Sequence, residues 1–557
     1  LAWSHRLSDK PKEALARFNE LVQKFKDSPF AAESKYLVGK ITDESDKPEE
    51  ALKVFDAVGA EYAKSPFAVR AAFDGALIYY QRNKFEQSIA RLEAFLKKHP
   101  KSEFAPYALL HLSESYFETG KAAKAAAGYS QLVKQSHKGE LGSQALYGHA
   151  WCLRREQKLA DAAAEFDQLV EKFAKEALAP ESLYWSGICL EESNKYEPAL
   201  ERFKKLVTSH RESSFVEESQ YRIGSCLVGL KRFEEAAGEL SSFVDSKAES
   251  QWAAQAWFDL AWCYRHTKES AGMKKAYEKV VTQFPKSSVA GEAFFALGEI
   301  AYEAEDYRGA AQRYQEALKT NHQKILDRSL YKLAWSFNHQ DKPKEAIETY
   351  RRLIQVSPKS SFIPESHFRI GRILQNRKAF AQAVESFQEC LKAGGSGDFK
   401  EMATFQMAEG YRELAEWAKA LENYKKVVSD YPKSKVIHEA VYGVGLSSME
   451  VEAWKDAEDA FQRIVSETKT VTAARSQLGL GEIRFRQGKY DEAARQFLKV
   501  NYLYGYKEWK AVSLYMAAQS FQKLDKKAQA KKYYELLIKT YPDSDFSAKA
   551  KASLGKL

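Results

Sequence analysis

Lys489-Tyr490-Asp491-Glu492-Ala493-Ala494-Arg495-Gln496-Phe497 holds the frame that decides the fold. Gly481 lies twelve residues before Ala493, and Phe497 four residues after it. The alanine-to-ring step recurs at Ala14/Phe18, Ala51/Phe55, Ala199/Phe203, Ala310/Tyr314, Ala346/Tyr350, Ala383/Phe387, Ala420/Tyr424, Ala457/Phe461 and Ala530/Tyr534. Successive frames are 37 residues apart, with two steps of 36. A fixed period of this size is the signature of a stacked repeat array.

A chain of 557 residues, 45% apolar and 29% charged, is too long for one ordinary core. A repeat array escapes that limit because each unit packs only on its neighbours. The formal charge of +9 is small for this length, and Lys and Glu alternate along most helical stretches. That pattern reads as solvated helix faces rather than a nucleic-acid stripe. No run of 18 apolar residues is present, so no transmembrane segment is expected, and no secretory leader is read. Ala2 and Gly555 both fall in the small-residue register described below. The expectation is a chain that starts and stops inside repeats, a piece of a longer protein.

Each unit reads as two amphipathic helices. In 102–137, Ser102 can cap the first helix and Pro106 falls in its first turn; Leu109, Leu110 and Leu112 give the apolar stripe. Gly120 and Lys121 mark the turn, and Ala125, Tyr129, Leu132 and Val133 carry the second helix. Elsewhere the second helix opens on Pro11, Pro48 or Pro343. Units close on Phe284-Pro285-Lys286-Ser287, Tyr431-Pro432-Lys433-Ser434 or Tyr541-Pro542-Asp543-Ser544, where Pro ends one helix and Ser caps the next. Twelve residues before the anchoring position stand Gly39, Ala76, Ser113, Ala150, Gly187, Gly224, Ala261, Gly298, Ala334, Gly371, Ala408, Gly445, Gly481 and Ala518, all small. Two helices approach closely only where bulk is missing, and the ring after the anchor fills the adjacent groove.

A small residue, alanine twelve later, an aromatic four after that and proline at the turn resemble the tetratricopeptide repeat. The long period, the Tyr-Pro-x-Ser turn and the aromatic-x-x-Gly pairs (Tyr36/Gly39, Tyr184/Gly187, Tyr221/Gly224, Phe295/Gly298, Phe368/Gly371, Tyr442/Gly445) are similar to the bacterial envelope subset. That subset includes TolA-binding proteins and the outer-membrane assembly lipoprotein with such repeats. Ser88 and Met273 depart from the anchoring alanine, and Gly394-Gly395-Ser396-Gly397 replaces the proline turn. The resemblance implies an all-α, right-handed superhelical solenoid of about fifteen antiparallel hairpins, and a role in protein binding.

Chemistry is sparse. Cys152, Cys189, Cys226 and Cys263 form a column at the repeat spacing. Packed helices lie about 8–10 Å apart and a disulfide needs Cα atoms within about 7 Å, so they read as buried apolar residues. Cys390 sits in another apolar column. No metal-ligand spacing, phosphate-binding loop, nucleophile elbow or enclosed carboxylate pair is found, so no catalytic, metal or cofactor residue is expected. In the run 502–509, Tyr504 and Trp509 fall in packing columns.

One constellation points to binding. In the family the groove is lined by first helices, and register places Trp151, Trp262 and Trp335 there. Each is followed at i+3 and i+4 by polar groups: Arg154 and Arg155, Arg265 and His266, Asn338 and His339. That spacing puts ring and polar head on one helix face, suited to peptides, acidic segments or sugars. The two-carboxylate clamp of chaperone-binding relatives is not matched.

The expectation is one solenoid over 1–557 with a loose joint near 393–398, dividing 1–393 from 399–557. Its function reads as a non-enzymatic scaffold of a bacterial envelope complex. Its partners would be proteins or peptides, not nucleic acid, and its place the periplasm or envelope, with the cytoplasm as alternative. The other readings are a periplasmic scaffold for polysaccharide export and the regulatory arm of an enzyme whose catalytic domain lies elsewhere.

Overall fold

The computed structural model describes residues 2–135, 138–394 and 397–557, the last segment without the side chains of 397 and 398. Among the described residues are 31 α-helices, one short 3-10 turn at Gln323–Ile325 and no strand. They fall into two compact units, Leu1–Phe284 and Pro285–Leu557. The first holds eight antiparallel hairpins; the second holds seven and a closing helix, Asp545–Leu554. The joint read at 393–398 falls inside the second unit, and its residues 395 and 396 lie outside the described residues.

Within a hairpin the small column meets the ring column. A Cβ on Gly39 would stand 2.5 Å from the Phe55 ring, one on Gly298 2.6 Å from Tyr314, and one on Gly371 2.6 Å from Phe387. Phe461 is held between two glycines, Gly445 of its own hairpin and Gly479 of the next, at 2.4 and 2.5 Å by the same measure. The rings so seated are almost fully buried: Phe55, Phe203, Tyr314, Phe387, Tyr424 and Phe497 among them. Burying one such ring is worth about 2–3 kcal/mol. The hydroxyls of Tyr314 and Tyr424 escape the core by donating to Glu299 and Glu409, each one residue beyond the small position.

Each hairpin turns on one residue in the left-handed region. These are Asp9, Asp46, Asn83, Gly120, Gln157, Asn194, Lys231, Lys268, Glu305, Asp341, Lys378, Ala415, Glu452, Gly488 and Asp525, with φ between 53° and 76°. The next N–H bonds back across the turn, as Arg232 N to Leu227 O (2.9 Å) and Lys489 N to Arg484 O (2.9 Å). This is the Schellman ending, which satisfies carbonyls the helix leaves free. Pro11, Pro48 and Pro343 each sit in the first turn of the second helix, as expected.

Between hairpins, a serine receives the N–H of the residue two further on: Ser102 from Phe104 (3.2 Å), Ser213 from Phe215 (3.3 Å), Ser434 from Val436 (3.0 Å) and Ser544 from Phe546 (3.3 Å). Ser287 departs from the expectation: its hydroxyl is buried and makes no such bond. The aromatic so placed stacks on the first helix of the preceding hairpin. Phe215 lies 4.7 Å from Tyr184, Trp252 5.3 Å from Tyr221, and Phe362 4.7 Å from Tyr331, all near-parallel. All five cysteines are free and buried. Tyr504 is buried and Trp509 half-buried, while Tyr502 is 75% exposed.

Candidate binding clefts on the first helices

First helices of consecutive hairpins lie side by side, and the three tryptophans project from them. Trp151 packs edge-on against Trp185 of the next hairpin, 4.8 Å between centroids. The Arg154 guanidinium lies over both rings, 4.4 Å from Trp185 and 5.3 Å from Trp151, and pairs with Glu192 at 2.8 Å. Arg154 is therefore committed within the protein. Arg155 turns the other way, over the Phe117 ring, and donates to the Phe117 carbonyl (2.9 Å). Register on one helix could not show this, because both partners come from neighbouring hairpins.

Trp262 is 40% exposed, with Arg265 5.8 Å from its ring. His266 does not join them in offering a polar head; it stacks flat on Phe233 at 4.2 Å. In the second unit, Trp335 donates from Nε1 to His339 Nε2 (2.8 Å), and His339 stacks on Tyr307. Arg369 of the next hairpin lies 4.4 Å over the Trp335 ring and pairs with Glu365 at 2.8 Å. Trp185 and Arg369 were not singled out from sequence. Each stands 34 residues after its tryptophan, one repeat on and one helical turn back, a step that would have found both.

Two clefts result. In the second unit Trp335, Asn338, Arg369, Arg372 and Asn376 line a pocket of about 380 Å³ with Phe368 and Met402. Among the described residues no carboxylate lines it and Arg372 has no ion-pair partner. In the first unit a cleft of about 860 Å³ opens between the helices Ala105–Glu118 and Gly139–Arg155, with Trp151 on its wall. Its lining carries four glutamates and no Lys, Arg or His among the described residues. Among the described residues no group of three or more His, Cys, Asp or Glu could hold a metal ion, and no helix is long and apolar enough to cross a membrane.

Three family models, each described as tetratricopeptide repeat, match the chain. One matches at 255–287, 402–434 and 512–544. A second matches at 73–140, 114–177, 147–215, 295–361 and 454–500, and a third at 364–393. No curated protein matches the chain significantly. Similar solved structures include the C-terminal part of a TPR repeat-containing protein from Cytophaga hutchinsonii: 14% identity, 47% of this chain and 99% of that one, TM-score 0.39. Pseudomonas aeruginosa pilF shows 16% identity over 42% of this chain and 96% of that one, TM-score 0.30. MamA from Desulfovibrio magneticus shows 21% identity over 32% and 94%, TM-score 0.28. With the repeat frame carried through both units and the family's models matching more than half its length, the chain belongs to the tetratricopeptide-repeat proteins.

Proposed function

We propose that this protein is a non-enzymatic interaction scaffold that docks extended segments of partner proteins on its first helices, and that the pocket at Trp335 receives an acidic group. The observation that carries the reading is the pocket's lining among the described residues: an aromatic face, two guanidiniums and two amides, with no carboxylate. The Arg372 guanidinium, with no ion-pair partner among the described residues and beside a ring, suits a carboxylate presented on a peptide. The test is fluorescence anisotropy with labelled Asp/Glu-rich and neutral decapeptides, on wild type, Trp335→Ala and Arg372→Glu, with circular dichroism to confirm the fold. The expected result is binding of the acidic peptide that weakens fivefold or more in each variant. Undiminished binding in Arg372→Glu, or no preference for the acidic peptide, overturns it.

The setting proposed is the bacterial cell envelope. Its support is the Tyr-Pro-x-Ser turn and the 37-residue period quoted above, which the envelope subset shares. Fractionation of the producing cells checks it: recovery with envelope fractions is expected, and recovery wholly with cytosolic markers sinks it.

A further inference from the structure

The cleft in the first unit has the opposite character to the pocket at Trp335. Its floor is the Tyr129 ring, and its walls carry Phe117, Tyr147 and Trp151. Gly148 lies on its lining. This register position holds His111, Trp185, Arg222 or Arg369 in some repeats and Gly443 or Gly479 in others. A Cβ on Gly148 would stand 2.3 Å from Tyr129, so ring and glycine are fitted to each other.

Four carboxylates surround the space: Glu114, Glu118, Glu140 and Glu176. Two have partners, Glu114 with His111 Nδ1 (2.8 Å) and Glu140 with Gln144 Nε2 (3.0 Å). The carboxylates of Glu118 and Glu176 have no hydrogen-bond or ion-pair partner among the described residues. The two guanidiniums nearest in sequence are engaged: Arg155 with Phe117, Arg154 with Glu192. Negative charge in a concave site with low-dielectric walls focuses the field and attracts cations. Aromatic faces add to that attraction, since the ring quadrupole favours a cation over its face. A volume of about 860 Å³ is also more than one amino-acid side chain needs, so a length of chain can enter with its cation.

We infer that this cleft binds a lysine- or arginine-bearing segment of a partner protein, the cationic side chain lying between Trp151 and the Glu118 and Glu176 carboxylates. The inference rests on the scaffold reading above and gives the first unit a partner chemistry of its own. The aromatic walls hold the alkyl stem, and the carboxylates take the charged head, as Lys and Arg side chains favour.

The experiment uses the full chain and three labelled nonapeptides: one with Lys and Arg at its centre, the same peptide with every lysine acetylated and every arginine replaced by citrulline, and an acidic one. The basic peptide is expected to bind wild type and to weaken with added salt. Glu118→Gln/Glu176→Gln should lower its affinity tenfold or more, and the neutralised peptide should bind no better to wild type than the basic one does to this variant. Both glutamates lie outside the hydrophobic core, and circular dichroism checks the variant's fold. Trp335→Ala, in the other unit, should leave basic-peptide binding unchanged, so failure at Trp335 and failure here are told apart. Equal binding of the basic peptide to wild type and to the double variant, equal binding of the neutralised peptide, or no binding of the basic peptide at millimolar concentration overturns the inference.

Discussion

At the scale of single residues, the fit between glycine and ring was legible and the half-buried carboxylate of Asp259 was not. A small residue at a fixed distance from an aromatic is a pattern in the chain, and the structure places Gly298 on Tyr314 as the spacing requires. Asp259 shows the other case. It lies in a register position held by Trp185, Arg222 and Arg369 elsewhere; Asp74 shares the position and likewise accepts from Tyr36 Oη (2.6 Å), but the spacing does not give the burial that shifts the pKa of Asp259. Its carboxylate accepts from Tyr221 Oη (2.9 Å) and Gln255 Nε2 (3.0 Å), yet burial outweighs these bonds and raises its pKa to about 6. Unfolding returns it to an ordinary value near 3.8. Between those two values the folded chain keeps a proton that the unfolded chain has released. Stability from this group is therefore full below pH 4 and falls as pH rises to about 6. Asp259→Asn should remove that slope: relative to wild type it should gain about 1–2 kcal/mol at pH 7 and little at pH 4. Urea midpoints at the two pH values check it; a difference that does not grow with pH contradicts the buried-acid account.

At the scale of the element, helices and prolines could be read off the period, while the turn geometry could not. Only Gly120 and Gly488 advertise a left-handed turn; the other hairpins place Asp, Asn, Gln, Lys, Glu or Ala at the same step. Tertiary packing of the two helices fixes the turn, and each side chain accepts the conformation it is given. An L-residue there costs about 1–2 kcal/mol relative to its preferred region, offset when glycine replaces it by the freedom glycine loses on folding. Lys231, exposed and at φ 60°, should therefore stabilise the chain by about 0.5–1 kcal/mol as Lys231→Gly. Gly488→Ala is the mirror test. Its φ is 74° and a Cβ there meets nothing within 4 Å, so only backbone strain opposes the methyl. It should lose about 1 kcal/mol. Opposite signs in chemical denaturation are the expected outcome, and loss of stability in Lys231→Gly would show that the side chain, not the backbone, sets the turn. The same limit explains the site. The tryptophans and their i+3 polar residues were visible on single helices, but the partners that commit Arg154 and cover Trp335 arrive from the next hairpin.

At the scale of the whole chain, a repeat array should respond to damage locally. Contacts run from each helix to the next in the second unit, and those joining Ala290–Glu303 to Tyr307–Lys319 are the most extensive. Stability is then a sum of hairpin terms and nearest-neighbour interfaces rather than one global quantity. Gly298→Leu is the sharpest perturbation, because even a Cβ would stand 2.6 Å from the Tyr314 ring, which is fully buried. Overpacking of this kind costs about 1–3 kcal/mol. In the next hairpin Ala334 and Tyr350 hold the equivalent positions, both buried, so the fold can seat a methyl where the backbone is set for it, and Gly298→Ala should cost less. Hydrogen exchange by mass spectrometry reads where the cost falls. Every 1.4 kcal/mol is tenfold in an opening equilibrium, so amides of Ala290–Glu303 and Tyr307–Lys319 should exchange about 5- to 150-fold faster. The flanking helix Leu326–His339 should speed up less, and Lys507–Lys523 not at all. Acceleration spread evenly to Lys507–Lys523 would mean that the second unit opens as one cooperative body, and the nearest-neighbour description would then be wrong for this chain.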